Sequence, residues 1–507
     1  MWAEPLEIGW WSGCSVLLTE LLYRLPWSGW IAETLHRFGC LLSALLDAEL
    51  NEDQREVLLR RSALSLLAQN LKGVALVLSF CAAWACLDAL GARWGVNALW
   101  SVRGAVVLSV VSLIYTGARL WWTRGRRDRG TLKDGYTYSP LTQGFYSFAL
   151  DHAPLVRWTF KRERSKAMRR GLHPMADRPV WICGLARAGT TILTELLYDT
   201  GLFASLTYRD MPFPLAPRAW RSLSRWSGQR APERQERAHG DGILVGVDSP
   251  EALEEVFWRL HDPSVYQDTH ALAAYSPAPD SLKALREYLS CILWSRESGE
   301  ASELRYLSKN NNHLLRLPAL IEAFPEGRFI IPLRDPLSHA ESLRRQHLRW
   351  IERHERDPFS KRYMDWLAHH EFGSGHRRFS WDDLEQSSPE DERALGQHES
   401  KDEPHAQDPH HINYWLTRWI EAYRSVQRLD LDRVLIIDYA HLNARPQEAL
   451  TELFHYLDVN IGHDTITSLA QRLKPAQRTI DDREVSEALR AEASRLYESL
   501  CIKNNVI

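Results

Sequence analysis

The sequence predicts an α/β fold, three layers built on a central, mostly parallel sheet, preceded by an α-helical N-terminal region with a two-helix membrane hairpin. Three observations predict it. From Pro179 onwards, short apolar runs fit for buried strands alternate with helical patterns, the signature of parallel strands covered on both faces. One of those strands, PVWIC, passes through a glycine turn directly into a helix, in the stretch WICGLARAGTTILTELL. Far upstream, between Gly73 and Trp122, apolar density peaks in two stretches, each close to the roughly 20 residues that cross a bilayer core.

In chain order, residues 1–70 carry apolar helical patterns (CSVLLTELLYRL, then TLHRFGCLLSALL) suited to lying along a membrane surface or packing on the hairpin. Residues 71–123 are the expected hairpin, GVALVLSFCAAWACLDALG and NALWSVRGAVVLSVVSLIYTGARLWW. Asp88, Arg93 and Arg103 are costly at depth and belong towards the connection between the spans. A buried helical hairpin in a soluble domain is the competing reading of this stretch. Arg55, Arg60, Arg61 and Lys72 precede the first span, and Arg119, Arg124, Arg126, Arg127 and Arg129 follow the second. By the positive-inside rule both flanks face the cytoplasm, so the expected location is the inner (plasma) membrane with the C-terminal part cytoplasmic. The opening MWAEPLEIGWW lacks the basic start and clean apolar run of a signal peptide. Residues 124–178 read as a connector, whose KRERSKAMRR cluster is a solvated helix face or a contact to anionic headgroups.

Residues 179–507 form the expected α/β domain, interrupted at 350–411 by a polar, His- and acid-rich insertion or lid. The balance of 62 basic and 65 acidic residues argues against a general nucleic-acid partner. Seven cysteines with no CxxC pair favour a reducing compartment and offer neither a disulfide framework nor a zinc site. His369, His370, Glu371 and His376 lack the i, i+4 pairing of a helical zinc site and read as a solvated face or lid, so no metal is expected.

The chemistry concentrates in GLARAGTT. Gly184 and Gly189 have the spacing of the phosphate-binding loop GxxxxGK[ST], yet Thr190 stands where the lysine belongs. Backbone N–H groups at such a turn, with the positive end of the following helix, cradle an anion. Without the lysine there is no bridge to a γ-phosphate, and the one cation in the loop is Arg187. That suits a donor with two linked anionic groups. A second piece lies in RFIIPLRDPLSHAESLRRQH: Arg334 emerges at the end of the strand FIIPL, and Ser342 follows on a helix that Pro336 opens. Together they are fit to grip a second phosphate.

The two pieces, in this order and about 145 residues apart, resemble the sulfotransferase superfamily. YLSKNNNHLLRLPALIEAFPEGRFIIPLRDP resembles the family's lysine-containing segment, and VLIIDYAHLNARPQEALTELFHYLDV its late strand, loop and helix. The resemblance spans roughly residues 175–480 and leaves the N-terminal third uncovered. It implies a P-loop-like fold and 3′-phosphoadenosine 5′-phosphosulfate as co-substrate. Its 5′-phosphosulfate would lie on Gly184, Arg187, Ala188, Gly189, Thr190 and Thr191, and its 3′-phosphate on Arg334 and Ser342. Arg187 and Lys309 would act on the reacting group. In one branch of the family a histidine follows that lysine by two positions, but Asn311 stands there. Other branches use a carboxylate downstream of the first loop, so the resemblance implies as base Asp210 in SLTYRDMPFPLAPR and then Glu255 in HGDGILVGVDSPEALEEVFW, ahead of His239, Asp241 and Glu254. The implied function is sulfuryl transfer to an acceptor hydroxyl on a glycan, glycolipid or membrane-associated molecule. The alternatives are a membrane-anchored P-loop nucleotide-binding or kinase-like protein, and a degenerate scaffold without activity.

Overall fold

The computed structural model describes residues 3–24, 27–47, 49–93, 105–116, 138–226, 235–236, 244–297, 303–381, 405–429, 433–473 and 484–502. The chain divides into two compact units, Met1–Leu155 and Val156–Ile507.

The first unit is helical: α1 (Ala3–Arg24), α2 (Trp27–Leu46), α3 (Glu52–Arg93), α4 (Ala105–Thr116) and α5 (Pro140–Leu150). α2 packs on both α3 and α5. α1 packs on α4 through Trp11, Cys14 and Leu108, with Ser15 Oγ donating to the Leu108 carbonyl at 2.8 Å. α3 departs from the expected division at residue 70. It runs unbroken across that point because residues 52–72 are mostly good helix formers, with no glycine or proline before Gly73. Its 42 residues span about 63 Å, twice a bilayer core. Leu64, Leu67, Leu71, Val74, Val77 and Leu78 along it are exposed, and the helix is long and apolar enough to cross a membrane. α4 alone is too short to do so. The expected connection at 94–104 and the end of the second span at 117–123 lie outside the described residues. Part of the expected connector is helical as well, in α5 and in α6 (Ala153–Ala167).

In the second unit, β1 (Val180–Ile182), α7 (Thr190–Tyr198), β2 (Phe203–Ala204) and α8 (Pro217–Trp226) are followed by the short antiparallel pair β3 (Gln235–Glu236) and β4 (Leu244–Val245). Then come α9 (Glu255–His261), β5 (Ala271–Ala273), α10 (Pro279–Arg296), β6 (Arg305–Lys309), α11 (Leu317–Ala323), β7 (Arg328–Leu333), α12 (Pro336–Arg356), α13 (Pro358–Trp366) and β8 (Arg378–Ser380). The chain continues with α14 (Ile412–Gln427), β9 (Val434–Asp438), α15 (Tyr439–Ala444), α16 (Pro446–Tyr456), α17 (His463–Ala470) and α18 (Glu487–Ile502).

Five strands form one parallel sheet in the order β2-β6-β1-β7-β9. Alternate residues point to opposite faces. Val180, Ile182, Leu307, Ile330, Leu435 and Ile437 join a core with α7, α16 and α17 on one face. Trp181 meets Tyr306, Phe324 and Phe329 in a ring cluster on the other. Both faces are covered, so the strands read as unbroken apolar runs. The register pairs Ile182 with Lys309 and with Ile330, so β1, β6 and β7 end at one edge of the sheet.

The expected insertion at 350–411 is only partly an excursion. α12 continues to Arg356, α13 follows, and β8 pairs in parallel with β5, while Trp366, Phe372 and Phe379 are buried. The most polar stretch, 382–404, lies outside the described residues.

Candidate active site

At the central edge, the chain leaves β1 through Cys183–Gly189 and enters α7. Two residues in the turn have left-handed backbone, Arg187 at φ 70° and Gly189 at φ 102°. A side chain at Gly189 would be strained by that φ, and its Cβ would stand 3.0 Å from the Tyr439 ring. The glycine therefore sets the width of the turn. The first N–H groups of α7 have no partner within the helix, and the N-cap residue, Gly189, has no side chain to offer them. They form the positive end of a helix at the centre of the sheet edge.

The second sequence motif arrives at the same place. Arg334 leaves the end of β7, and its Nη1 donates to the Arg187 carbonyl at 3.1 Å. Its Nε donates to Ser338 Oγ at 3.1 Å, and its guanidinium lies 5.6 Å from the Tyr439 ring centroid. Ser342, two turns along α12, accepts from Arg187 Nε at 3.3 Å. Gly184, Arg187, Ala188, Gly189, Thr190, Thr191, Arg334 and Ser342 are thus one cluster. His339 was not singled out in the sequence, although it lies one turn before Ser342. Its Nε2 is 2.8 Å from the Ala186 carbonyl, and burial, with Arg334 and Arg187 nearby, lowers its pKa to about 3. A neutral, donating imidazole latches α12 to the turn.

Lys309 ends β6 beside Ile182, so it stands at the same edge. Near it is Glu251, which accepts from the Ala252 N–H at 2.9 Å and from the Tyr208 hydroxyl. Burial would raise the pKa of this carboxyl, but Lys309, His369 and the tyrosine outweigh it and bring it down to about 2. Glu251 is a permanent anion suited to orienting the lysine and poorly matched to a base.

The two carboxylates preferred from sequence are enclosed. Asp210 is fully buried; it accepts from Arg221 at 2.8 Å, from Arg296 at 2.7 Å and from the Thr207 N–H at 2.8 Å. Burial would raise its pKa, and the two arginines reverse the shift. Glu255 is fully buried against Arg316, Tyr266 and Asn310. Here too burial is outweighed, chiefly by Arg316. Glu254, beside it, accepts from Trp258, Tyr306 and Ser308 at 2.8 to 2.9 Å. These groups hold the fold around the site, and their lone pairs are already used. His239 and Asp241 lie outside the described residues. Asp210→Asn or Glu255→Gln is expected to cost about 3–5 kcal/mol of stability by leaving a buried arginine uncompensated. Denaturant unfolding should show that loss, while the molecules that remain folded keep their turnover. A normal melt with lost turnover would instead return the base to these positions.

A cleft opens beside the turn, lined by Leu185, Ala186, Leu343, Glu371, His376, Arg377, Arg378, Phe379, Trp381, Trp415 and Arg418. Glu371 is partly exposed there, and its Oε1 accepts from Asn311 Nδ2 at 2.6 Å. Asn311 is the residue two beyond Lys309, so the carboxylate hangs from the position that pointed elsewhere to a histidine. Of the neighbouring histidines, His370 is buried and lowered to about 3, chiefly by burial. His376, lowered to about 4 chiefly by burial, engages the Tyr414 hydroxyl at 2.7 Å and the His370 carbonyl at 3.0 Å. These side chains are committed to packing and hydrogen bonds.

Residues 179–386 match a family model described as the sulfotransferase family. Among solved structures, the sulfotransferase STF9 from Mycobacterium avium is similar at 15% identity, with 73% of this chain and 87% of that chain covered and a TM-score of 0.39. The sulfotransferase STF1 from Mycobacterium tuberculosis H37Rv is similar at 13% identity, with 70% and 85% covered and a TM-score of 0.37. No curated protein matches significantly. The matched stretch contains the glycine turn, Lys309, the Arg334 to Ser342 helix and Glu371. Over residues 179–386, about two fifths of the chain, the protein is similar to the sulfotransferase family.

Proposed function

We propose that this protein moves a sulfuryl group from 3′-phosphoadenosine 5′-phosphosulfate to an acceptor hydroxyl. The acceptor is a glycan, a glycolipid or another membrane-associated molecule. The observation that carries the reading is the link of 3.3 Å between Arg187 Nε and Ser342 Oγ, which makes one site of two anion grips distant in sequence. The donor set fits a diester with a phosphate at each end: two guanidinium groups, a helix N-terminus, and the hydroxyls of Ser338 and Ser342. The turn has no lysine, so a γ-phosphate has no partner there.

When bound, the co-substrate supplies the sulfuryl group and leaves as adenosine 3′,5′-bisphosphate. The chain's residues do the rest by position and charge. Arg187 and the amides of Gly189, Thr190 and Thr191 hold the 5′ anion, and Arg334 with Ser342 holds the 3′ anion. Lys309, oriented by Glu251, offsets charge on the group in transfer. Glu371 receives the proton of the acceptor hydroxyl, and the aromatic wall of Phe379, Trp381 and Trp415 excludes water and faces a sugar ring. α3 attaches the protein to the membrane, with the catalytic unit in the cytoplasm.

Thermal stabilisation of the full chain in detergent tests the donor. At a hundredfold excess over Kd, adenosine 3′,5′-bisphosphate is expected to add about 2.7 kcal/mol. Chelator should leave this gain unchanged, and Arg334→Ala should abolish it. Stabilisation by magnesium and ATP, with no response to the bisphosphate, would select the kinase-like alternative.

A further inference from the structure

A second cluster of reactive side chains lies in the helical unit, among residues with no role assigned above. α2 places His36 and Cys40 one turn apart on the same face, and the residue after the end of α5, Asp151, is followed by His152. The candidate ligand atoms of His36, Cys40 and His152 all lie within 4.8 Å of one another. Cys40 Sγ is 4.0 Å from His36 Nε2, and the two imidazole centroids are 5.6 Å apart. Around a zinc ion, bonds of about 2.3 Å to sulfur and 2.0–2.1 Å to nitrogen in tetrahedral geometry put sulfur and nitrogen about 3.5 Å apart. Small side-chain rotations close that difference.

Two independent observations point to a ligand. His152 is only 7% exposed, and its Nε2 has no hydrogen-bond partner among the described residues. The His36 backbone lies close to this ring. A buried ring nitrogen left unsatisfied costs about 1–3 kcal/mol. The backbone has also been cut away to admit it, since a Cβ at Gly39, between His36 and Cys40, would overlap the His152 ring and crowd Phe148. Phe148 in turn stacks with Phe38 and Phe145, which fixes the wall behind the imidazole. His36 and Cys40 remain accessible to solvent, leaving a path of entry.

We propose that His36, Cys40 and His152 bind a divalent transition metal of borderline softness, zinc above all, with solvent in the fourth position. Two imidazoles and a thiolate select such a metal over magnesium or calcium, which take oxygen ligands. Binding expels the thiol proton of Cys40, so affinity rises with pH. The ion staples α2 to the end of α5. The absence of a CxxC pair argued against zinc, but here the ligands come from an i, i+4 pair and a histidine over 100 residues away.

Cobalt titration of the full chain, purified in detergent and stripped with chelator, tests the site. One equivalent of Co²⁺ is expected to give a thiolate-to-cobalt charge-transfer band and the strong visible absorption of a four-coordinate ion, both erased by Zn²⁺. Cys40→Ser should remove the charge-transfer band. His36→Asn, at an accessible position, and His152→Gln should each raise the dissociation constant by at least the roughly 10–100-fold that loss of an outer-shell partner already costs, with circular dichroism confirming retained helix content. Zinc should raise the melting temperature of the wild type and not that of the triple variant. A stripped wild type that shows no thiolate–cobalt band, or a band that survives Cys40→Ser, would overturn the proposal.

Discussion

Lys309→Met is expected to lower kcat by about 10³–10⁵-fold, the range for a cation that reaches the group in transfer, while the stabilisation by adenosine 3′,5′-bisphosphate persists. The lysine terminates β6 directly beside Ile182, at the base of the glycine turn, whereas the phosphate grips belong to other residues. Removing it therefore affects the transition state more than the affinity for the departing nucleotide. Single-turnover transfer of labelled sulfate, alongside a bisphosphate titration, separates the two effects. If Lys309 serves only to neutralise Glu251, the variant will melt lower and retain its turnover, and Glu251→Gln will restore the lost stability.

Glu371→Gln is expected to reduce kcat by about 10²–10⁴-fold, the usual contribution of a positioned base, with the melting temperature unchanged. The substitution keeps the shape and an oxygen that accepts from Asn311 Nδ2, so the cleft wall stays in place. Only the capacity to take a proton is lost. Glu371→Asp should recover part of the rate, and the bisphosphate shift should match wild type in both variants. Full turnover in Glu371→Gln would mean that the acceptor loses its proton to another group or to solvent. The contrast with Asp210→Asn and Glu255→Gln is the diagnostic one, since those variants lose stability and Glu371→Gln loses rate.

The difference between these carboxylates was invisible in the sequence. Asp210 and Glu255 recommended themselves by lying downstream of the loop. Their true partners lie elsewhere in the chain: Arg221 and Arg296 are 11 and 86 residues from Asp210, and Arg316 is 61 residues from Glu255. No local pattern announces that an acid will be saturated by distant arginines. Glu371 lines the cleft from the segment ahead of β8, the strand that pairs with β5, and is held there by Asn311. A stretch that reads as polar excursion became a wall of the site, because buried Trp366, Phe372 and Phe379 outweigh the surrounding charge.

Local order decided what could be read in advance. The strand, glycine turn and helix of residues 179–198, the arginine and serine eight apart, and the alternation of apolar runs are contiguous patterns whose geometry follows from backbone and period alone. They pointed to the fold class, which the structure bears out, and carried the resemblance to sulfotransferases. The tertiary structure decided which acids are spent on ion pairs, which carboxylate meets the cleft, that His339 latches α12 to the turn, and that His152 stands against α2. Each of those depends on groups brought together across tens or hundreds of residues. Charge and desolvation act through space, so a side chain's availability is a property of its neighbours in the fold.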